Sequence, residues 1–468
     1  RNLAGSASYS GVPPGAGDKT GGGYVNNLLG HPQGTSVILR RVLFVLTTAG
    51  LLVAWRTGPE WLLFQACTVA ILAAAVAGWA LQRFTVKWSW ALLPVLAIPL
   101  WPAAQLAFGV TVYRHATLLE LLRWNTYAAV FVLAFWSFRR RAEINWLLRG
   151  LIIFSLVLAA EATMQHFAGN GKMFWLFTAR YVDGAMGPFI NRDHYASFMA
   201  LILLMAILRA FDEPTRRWTY VLAAAAIYAS VIAGASRAGS LLVTAEVLLC
   251  LFLITIRPTA QGMPAWHRHR FTLATLFLVA ALVAVVGWQP LYDRFMLPDP
   301  YQGRRELAIS TLAMIRDRPL TGFGAGTWTT VYPAYAIFDF GRFANAAHND
   351  WLQWAADGGI PFAAVFFALF CISLAIAWRV PWAIGIAAVF IHSTIDFPIE
   401  GGRYQPAILF LIFGAALGRW QTVIRTSPST LAEIEVPLRR PSPRPSPTDA
   451  LAGNRGFHQR LPTQAWPR

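Results

Sequence analysis

The sequence predicts an all-α fold: a polytopic integral membrane protein of about twelve transmembrane helices with a long helical loop on its outer side. Three observations predict it. Of the 468 residues 56% are hydrophobic and only 13% are charged, where a soluble domain carries about 25% charged residues. Apolar runs near the ~20 residues that a helix needs to cross ~30 Å of hydrocarbon follow one another along most of the chain. Basic residues gather in alternate connections between those runs, as topology determinants do.

In chain order, residues 1–36 are rich in Gly, Pro, Ser and Asn and are expected to be disordered. Apolar spans follow at about 42–55, 61–81, 88–109, 119–138, 146–165 and 194–210. Six more lie at about 218–235, 238–256, 271–288, 360–378, 381–396 and 405–420. Together they define a transmembrane domain over 37–425, and residues 426–468, with Arg439-Arg440-Pro-Ser-Pro-Arg-Pro-Ser-Pro, read as a disordered basic tail. No cleavable signal pattern precedes the first apolar run, so insertion rather than secretion is expected.

Orientation comes from the loops. With the N-terminus inside, the inner connections carry Arg83 and Lys87, Arg139-Arg140-Arg141, Arg216-Arg217, Arg257 with Arg268 and Arg270, and Arg379. The outer connections carry isolated basic residues: Arg56, Arg114, Lys172, Arg180, Arg192 and Arg237. Both termini are therefore expected on the inner, cytoplasmic side. The net charge of +17 is accounted for by these loops and the tail. Without a basic stripe interleaved with aromatics on a soluble domain, nucleic-acid binding is not expected. Cys67, Cys250 and Cys371 each lie inside an apolar run and read as small hydrophobes, with no disulfide and no metal site.

The segment of about 289–348 is then a long outer loop, and long loops are usually functional or carry structure of their own. Arg304-Arg305-Glu306 begins a stretch of helical periodicity to Arg316 that Pro319 ends. Thr321-Gly-Phe-Gly-Ala-Gly326 reads as a tight turn and a weak phosphate-binding signal. At the end of the loop stands His348, in Asn345-Ala-Ala-His348-Asn349-Asp350. Histidine is the side chain suited to accept a proton near neutrality.

Other candidates lie on the same side. Arg192 sits at the mouth of a span in Asn191-Arg192-Asp193-His194, and Arg237 in the short turn Gly234-Ala-Ser-Arg237. A guanidinium fork fits phosphate oxygens bidentately. The plain alternatives are snorkelling or an ion pair, for instance Arg192 with Asp193. His348 has the alternative of a capping or hydrogen-bonded interface histidine; its neighbour Asn349 can orient it or a substrate hydroxyl. Asp396, one turn from His392 on an expected helix, can pair an arginine or orient an imidazole. His194 reads as structural. Glu161, late in a span, is an intramembrane carboxylate and so a site candidate by default. No Walker-type loop and no outer Asp-x-Asp pair occurs, so neither nucleotide hydrolysis nor a metal-bound diphosphate is suggested.

The chain resembles the O-antigen ligase superfamily, which also holds O-antigen polymerases and bacterial O-oligosaccharyltransferases. The resemblance rests on Gly187-Pro-Phe-Ile-Asn-Arg-Asp-His-Tyr-Ala196, Ser236-Arg237-Ala-Gly239, Gly303-Arg304 with Pro319-Leu-Thr-Gly-Phe-Gly-Ala-Gly326, Ala347-His348-Asn-Asp-Trp-Leu352 with Asp357-Gly-Gly-Ile360, and His392-Ser-Thr-Ile-Asp-Phe-Pro398. It covers about 187–398. It implies a glycosyltransferase that moves O-antigen polysaccharide from undecaprenyl pyrophosphate to the lipid A–core oligosaccharide. The site would lie on the periplasmic face of the bacterial inner (cytoplasmic) membrane, and the product is lipopolysaccharide. No metal or other cofactor is implied.

Carried over, Arg237 and Arg304 match the family's functional arginines and His348 its functional histidine. Arg192 fits the arginine role by position. Asn349 is a further substrate-binding candidate beside the arginines, and Asn191, His194, Asp396 and Glu161 are candidate supporting residues. Asp193 stands where many relatives have Asn, and is expected to bear on Arg192. The short tail favours the ligase over the O-oligosaccharyltransferase, which usually carries a further C-terminal domain. A polysaccharide polymerase using the same donor stays open. A transporter, which favours internal repeats and helices broken at mid-bilayer, fits less well.

Overall fold

The computed structural model describes residues 32–54, 59–80, 88–170, 172–178, 184–256, 265–298, 302–339, 341 and 343–425. Most of the N-terminal segment and the whole basic tail, both expected to be disordered, lie outside the described residues.

Among the described residues the fold is all-α with one minimal hairpin. The helices are α1 (Pro32–Leu52), α2 (Glu60–Ala80), α3 (Leu92–Ala107), α4 (Arg114–Ser137) and α5 (Arg141–Ala168). The two-residue strands β1 (Lys172–Met173) and β2 (Phe177–Thr178) pair antiparallel. Then come α6 (Arg192–Asp212), α7 (Arg217–Ala233), α8 (Arg237–Ile256), α9 (Ala265–Val286) and α10 (Gln289–Phe295). They are followed by α11 (Gln302–Asp317), α12 (Trp328–Val331), α13 (Asp350–Arg379), α14 (Ile384–His392) and α15 (Tyr404–Arg425).

Each of the twelve apolar runs contains a helix. Among the described residues six are long and apolar enough to cross a membrane: α2, α4, α5, α6, α13 and α15. A seventh span is α9 with α10, if the pair, bent by 83°, is taken as one. Gly287, at a φ of +84°, and Pro290 after it account for that bend. The chain is a multi-pass membrane protein.

The run expected at 381–396 is shorter as a helix. A 3₁₀ turn leads into α14, which stops at His392, so Asp396 stands on the turn after the helix rather than on it. The run expected from 360 belongs to a longer element that begins at Asp350. Gly359, at a φ of +77°, breaks α13 there. A Cβ at Gly359 would meet the Leu320 carbonyl oxygen at 2.4 Å, so the kink lets the 319–320 backbone approach, and Ile360 donates to the Pro319 carbonyl at 2.7 Å.

Helix α6 is the central post: 94% of its span is buried inside the protein, against α5, α7, α8 and α14. An apolar helix buried all round is a core element rather than a lipid-facing one. The long loop has a core of its own. Leu307, Met314, Phe323, Trp328, Tyr332, Ala347 and Ala356 form a separate buried cluster. Trp328 stacks on Tyr332 at 4.5 Å and donates from its indole to Thr311 Oγ1 at 3.0 Å. Helix α11 packs on α13, so the loop is anchored to the segment that carries His348.

The Gly-rich turn is part of that anchor. Gly322, Gly324 and Gly326 all have positive φ, which favours glycine. The amides of the turn are taken by the protein itself. Gly324 donates to the Asp357 carbonyl at 2.8 Å, Gly326 to Asp357 Oδ2 at 3.1 Å, and Ala325 to Gln105 Oε1 at 2.9 Å. These donors are spent on α3 and α13, which removes the turn as a phosphate cradle.

Candidate active site

His348 sits at a sharp corner. Its backbone has a φ of +52°, a left-handed conformation uncommon outside glycine and frequent where function pays for strain. The corner lets Asn349 cap α13: its side-chain oxygen accepts from the Leu352 amide at 3.0 Å, and its Nδ2 donates to the Thr394 carbonyl at 2.6 Å. Asn349 therefore ties His348 to the turn after α14.

That turn supplies the partner. Asp396 is fully buried, and its carboxylate is shared. Oδ1 lies 3.4 Å from His348 Nδ1 and 3.6 Å from Arg304 Nη2, while Oδ2 lies 3.9 Å from His194 Nε2. The next residue, Phe397, is a floor on which both imidazoles stand edge-on, His348 at 4.5 Å and His194 at 4.8 Å. Burial alone would raise the Asp396 carboxyl. The hydrogen bond to His348, the charges of His194 and His392 when protonated, and that of Arg304 outweigh burial and pull it down to about 2; at neutral pH the lasting charge is that of Arg304. Asp396 is thus ionised at neutral pH. With a proton on Nδ1 facing that carboxylate, the Nε2 lone pair of His348 is the one left to act as a base. The His348 side chain keeps 29% of its surface exposed, enough for a substrate hydroxyl to reach it.

The arginines arrive from three elements. Arg304, on α11, also bonds Asp193 Oδ2 at 2.9 Å. The other oxygen of Asp193 accepts from Ser236 Oγ at 2.6 Å, and Ser236 immediately precedes Arg237 at the start of α8. Arg237 is buried and donates to the Arg294 carbonyl at 3.1 Å, while Arg294 donates back to the Ala235 carbonyl at 3.0 Å. Asp193 is therefore a knot joining α6, α8 and α11.

Asp193 does not neutralise Arg192, as the sequence had suggested. Consecutive residues on a helix point about 100° apart; Asp193 turns to Arg304, and Arg192 turns to the Gly234 carbonyl at 3.4 Å, against Gly184. Asn191 caps α6, its side chain accepting from the Asp193 amide at 2.8 Å; its role is to aim this helix end.

The structure thus brings His348, Asp396, Arg304, His194 and Asn349 together, with Arg192 and Arg237 on the adjoining helix ends. Glu161 stays apart: its carboxylate oxygens are buried beside the Gly187 turn, without a hydrogen-bond partner among the described residues. Sequence reasoning passed over Asp193 as the partner of Arg304, and it passed over Phe397. Phe397 stood inside the His392…Pro398 segment, but nothing local marks an aromatic as the support of two distant histidines. Among the described residues no group of three or more His, Cys, Asp or Glu is placed to hold a metal ion.

Arginines gathered beside a His–Asp pair can chemically bind an anionic group and accept a proton next to it. Residues 221–367, about a third of the chain, match the family model described as O-Antigen ligase, a match that supports the O-antigen ligase superfamily. The matched family is one of transferases of lipid-linked glycans, which supports an enzyme at that coarse level. The matched region contains Arg237, Arg304 and His348; Arg192 and Asp396 fall outside it. No curated protein matches the chain.

Proposed function

We propose that the protein is a ligase of this superfamily. It moves O-antigen polysaccharide from undecaprenyl pyrophosphate to the lipid A–core oligosaccharide, at the periplasmic face of the bacterial inner membrane. The observation that carries the proposal is the contact of His348 with the buried, ionised Asp396, with Arg304 on the same carboxylate. His348 takes the proton from the acceptor sugar hydroxyl as that oxygen attacks the donor anomeric carbon. The bond from that carbon to the pyrophosphate oxygen breaks, and the pyrophosphate leaves on its lipid. Arg304, Arg237 and Arg192 hold it and stabilise its charge, which is electrostatic work that guanidinium groups can do without a metal. A single displacement inverts the anomeric configuration. The transmembrane domain of 37–425 houses the site, the loop of about 289–348 closes it on the periplasmic side, and both termini are cytoplasmic.

The test is reconstitution in vesicles with a defined polyprenyl-pyrophosphate glycan and three acceptors offered in turn: lipid A–core, a second polyprenyl-linked glycan, and a protein. Extension of lipid A–core supports the ligase. Extension of either other acceptor alone replaces it with the polymerase or with the O-oligosaccharyltransferase.

A further inference from the structure

We propose that Asp350 is the positioning residue of this site, the group that fixes Asp396 against His348. The inference rests on the reading of His348 and Asp396 as the proton-accepting pair. Asp350 is the first residue of α13, two after His348, and has no exposed surface. Its Oδ2 accepts from Ser393 Oγ at 2.7 Å and from the Ile399 amide at 3.1 Å; its Oδ1 accepts from the Glu400 amide at 3.1 Å. Its own amide donates to the carbonyls of Ser393 at 2.9 Å and Asp396 at 3.2 Å. One residue therefore grips the turn after α14 at its start, its middle and its end. The gripped turn carries Asp396 and Phe397, the two residues that touch the His348 ring.

An acidic residue in the first turn of a helix is ordinary, but a fully buried one is not. Its partners are a hydroxyl and two amides, and the charge it faces, Glu400, is of its own sign. Burying a carboxylate costs free energy unless its hydrogen bonds are made, and here they are all made to one turn. The far end of the turn is clamped a second time. Arg123 of α4 donates to the Glu400 carbonyl at 2.6 Å and pairs with its carboxylate, and Trp354 donates from its indole to Glu400 Oε1 at 2.7 Å. With the end tied to α4 and the start tied to Asp350, the position of Asp396 follows. The His348–Asp396 contact of 3.4 Å already lies near the outer limit of a hydrogen bond, so a slip of the turn by about 1 Å would break it. The charged and titratable groups that face Asp396 are His348, His194 and Arg304, with His392 close by.

The test compares Asp350→Asn, Ser393→Ala and Asp396→Asn with wild type in the full-length protein. Turnover with saturating donor should fall roughly 10²-fold in Asp350→Asn and about fivefold in Ser393→Ala, which loses one hydrogen bond. Donor KM should stay within about threefold, because Arg304 keeps its 2.9 Å bond to Asp193, which does not belong to the turn. A second readout needs no glycan. Diethyl pyrocarbonate reacts with neutral imidazole, and labelling of His348 is followed against pH by mass spectrometry of its peptide. The labelling profile of Asp350→Asn should coincide with that of Asp396→Asn and depart from wild type.

A wild-type labelling profile in a folded Asp350→Asn protein overturns the proposal, whatever its turnover. A lower melting temperature as the only change overturns it too. If Asp350→Asn does not fold, the same two readouts on Ser393→Ala decide. If instead wild type transfers no glycan while the profiles shift as expected, the positioning role stands and the proposed function falls.

Discussion

Replacing Asp396 by Asn removes the charge on which the site converges. The carboxyl falls from an ordinary value of 3.8 to about 2; at ~1.4 kcal/mol per pH unit, its surroundings favour the ionised form by roughly 2–3 kcal/mol. A depressed carboxylate contributes stability that is fully present above its unfolded value and is lost as pH falls through the folded one. The contribution is therefore complete at pH 7, about half gone at pH 3 and nearly all gone at pH 2. Asp396→Asn, which cannot ionise, should be less stable than wild type at pH 7 by roughly 2–3 kcal/mol, and the gap should shrink by about half at pH 3. The assay is thermal unfolding of the detergent-solubilised protein, followed by tryptophan fluorescence at both pH values. Equal stability at pH 7, or a gap that does not narrow on acidification, would refute the view that His348, His194, His392 and Arg304 hold an ionised carboxylate.

His348→Ala should keep its fold and donor binding while turnover drops by roughly 10²–10⁴-fold, and its residual rate should lack the rise with pH expected of wild type. A stable, active variant with the wild-type pH profile would move the base elsewhere. Arg237→Lys and Arg304→Lys keep the charge but lose the planar fork; both should lose most transfer activity, and full activity in both would make these arginines structural. Transfer should continue in excess EDTA, and a loss restored by Mg²⁺ or Mn²⁺ would show that a metal takes part. In a variant lacking Cys67, Cys250 and Cys371, an impermeant reagent added outside should label single cysteines placed at 300 or 340 and spare those at 140 or 265. Labelling at 140 would reverse the orientation.

The all-α membrane fold was legible because hydropathy is a local property. An apolar run of sufficient length must be a helix in lipid, where no water satisfies the backbone; each of the twelve runs contains a helix, and among the described residues six or seven are long and apolar enough to cross. Periodicity likewise marked α11 and its stop before Pro319. His348, Arg237 and Arg304 were visible because polar residues in a hydrophobic chain stand out, and because their short motifs are local.

What the sequence could not supply was pairing across distance. Asp193 turns to Arg304, 111 positions away, rather than to its neighbour Arg192, because helix geometry sends adjacent side chains in different directions. Asp396 meets His348 only because α14 ends at His392 and the following turn folds back beneath the start of α13. Gly322, Gly324 and Gly326 looked like a phosphate loop until packing spent their neighbourhood's amides on Gln105 and Asp357. Local pattern decides which helices form, since helical hydrogen bonds join residues four apart. The site is made of contacts between helix ends, and only the packing around α6 brings those ends together.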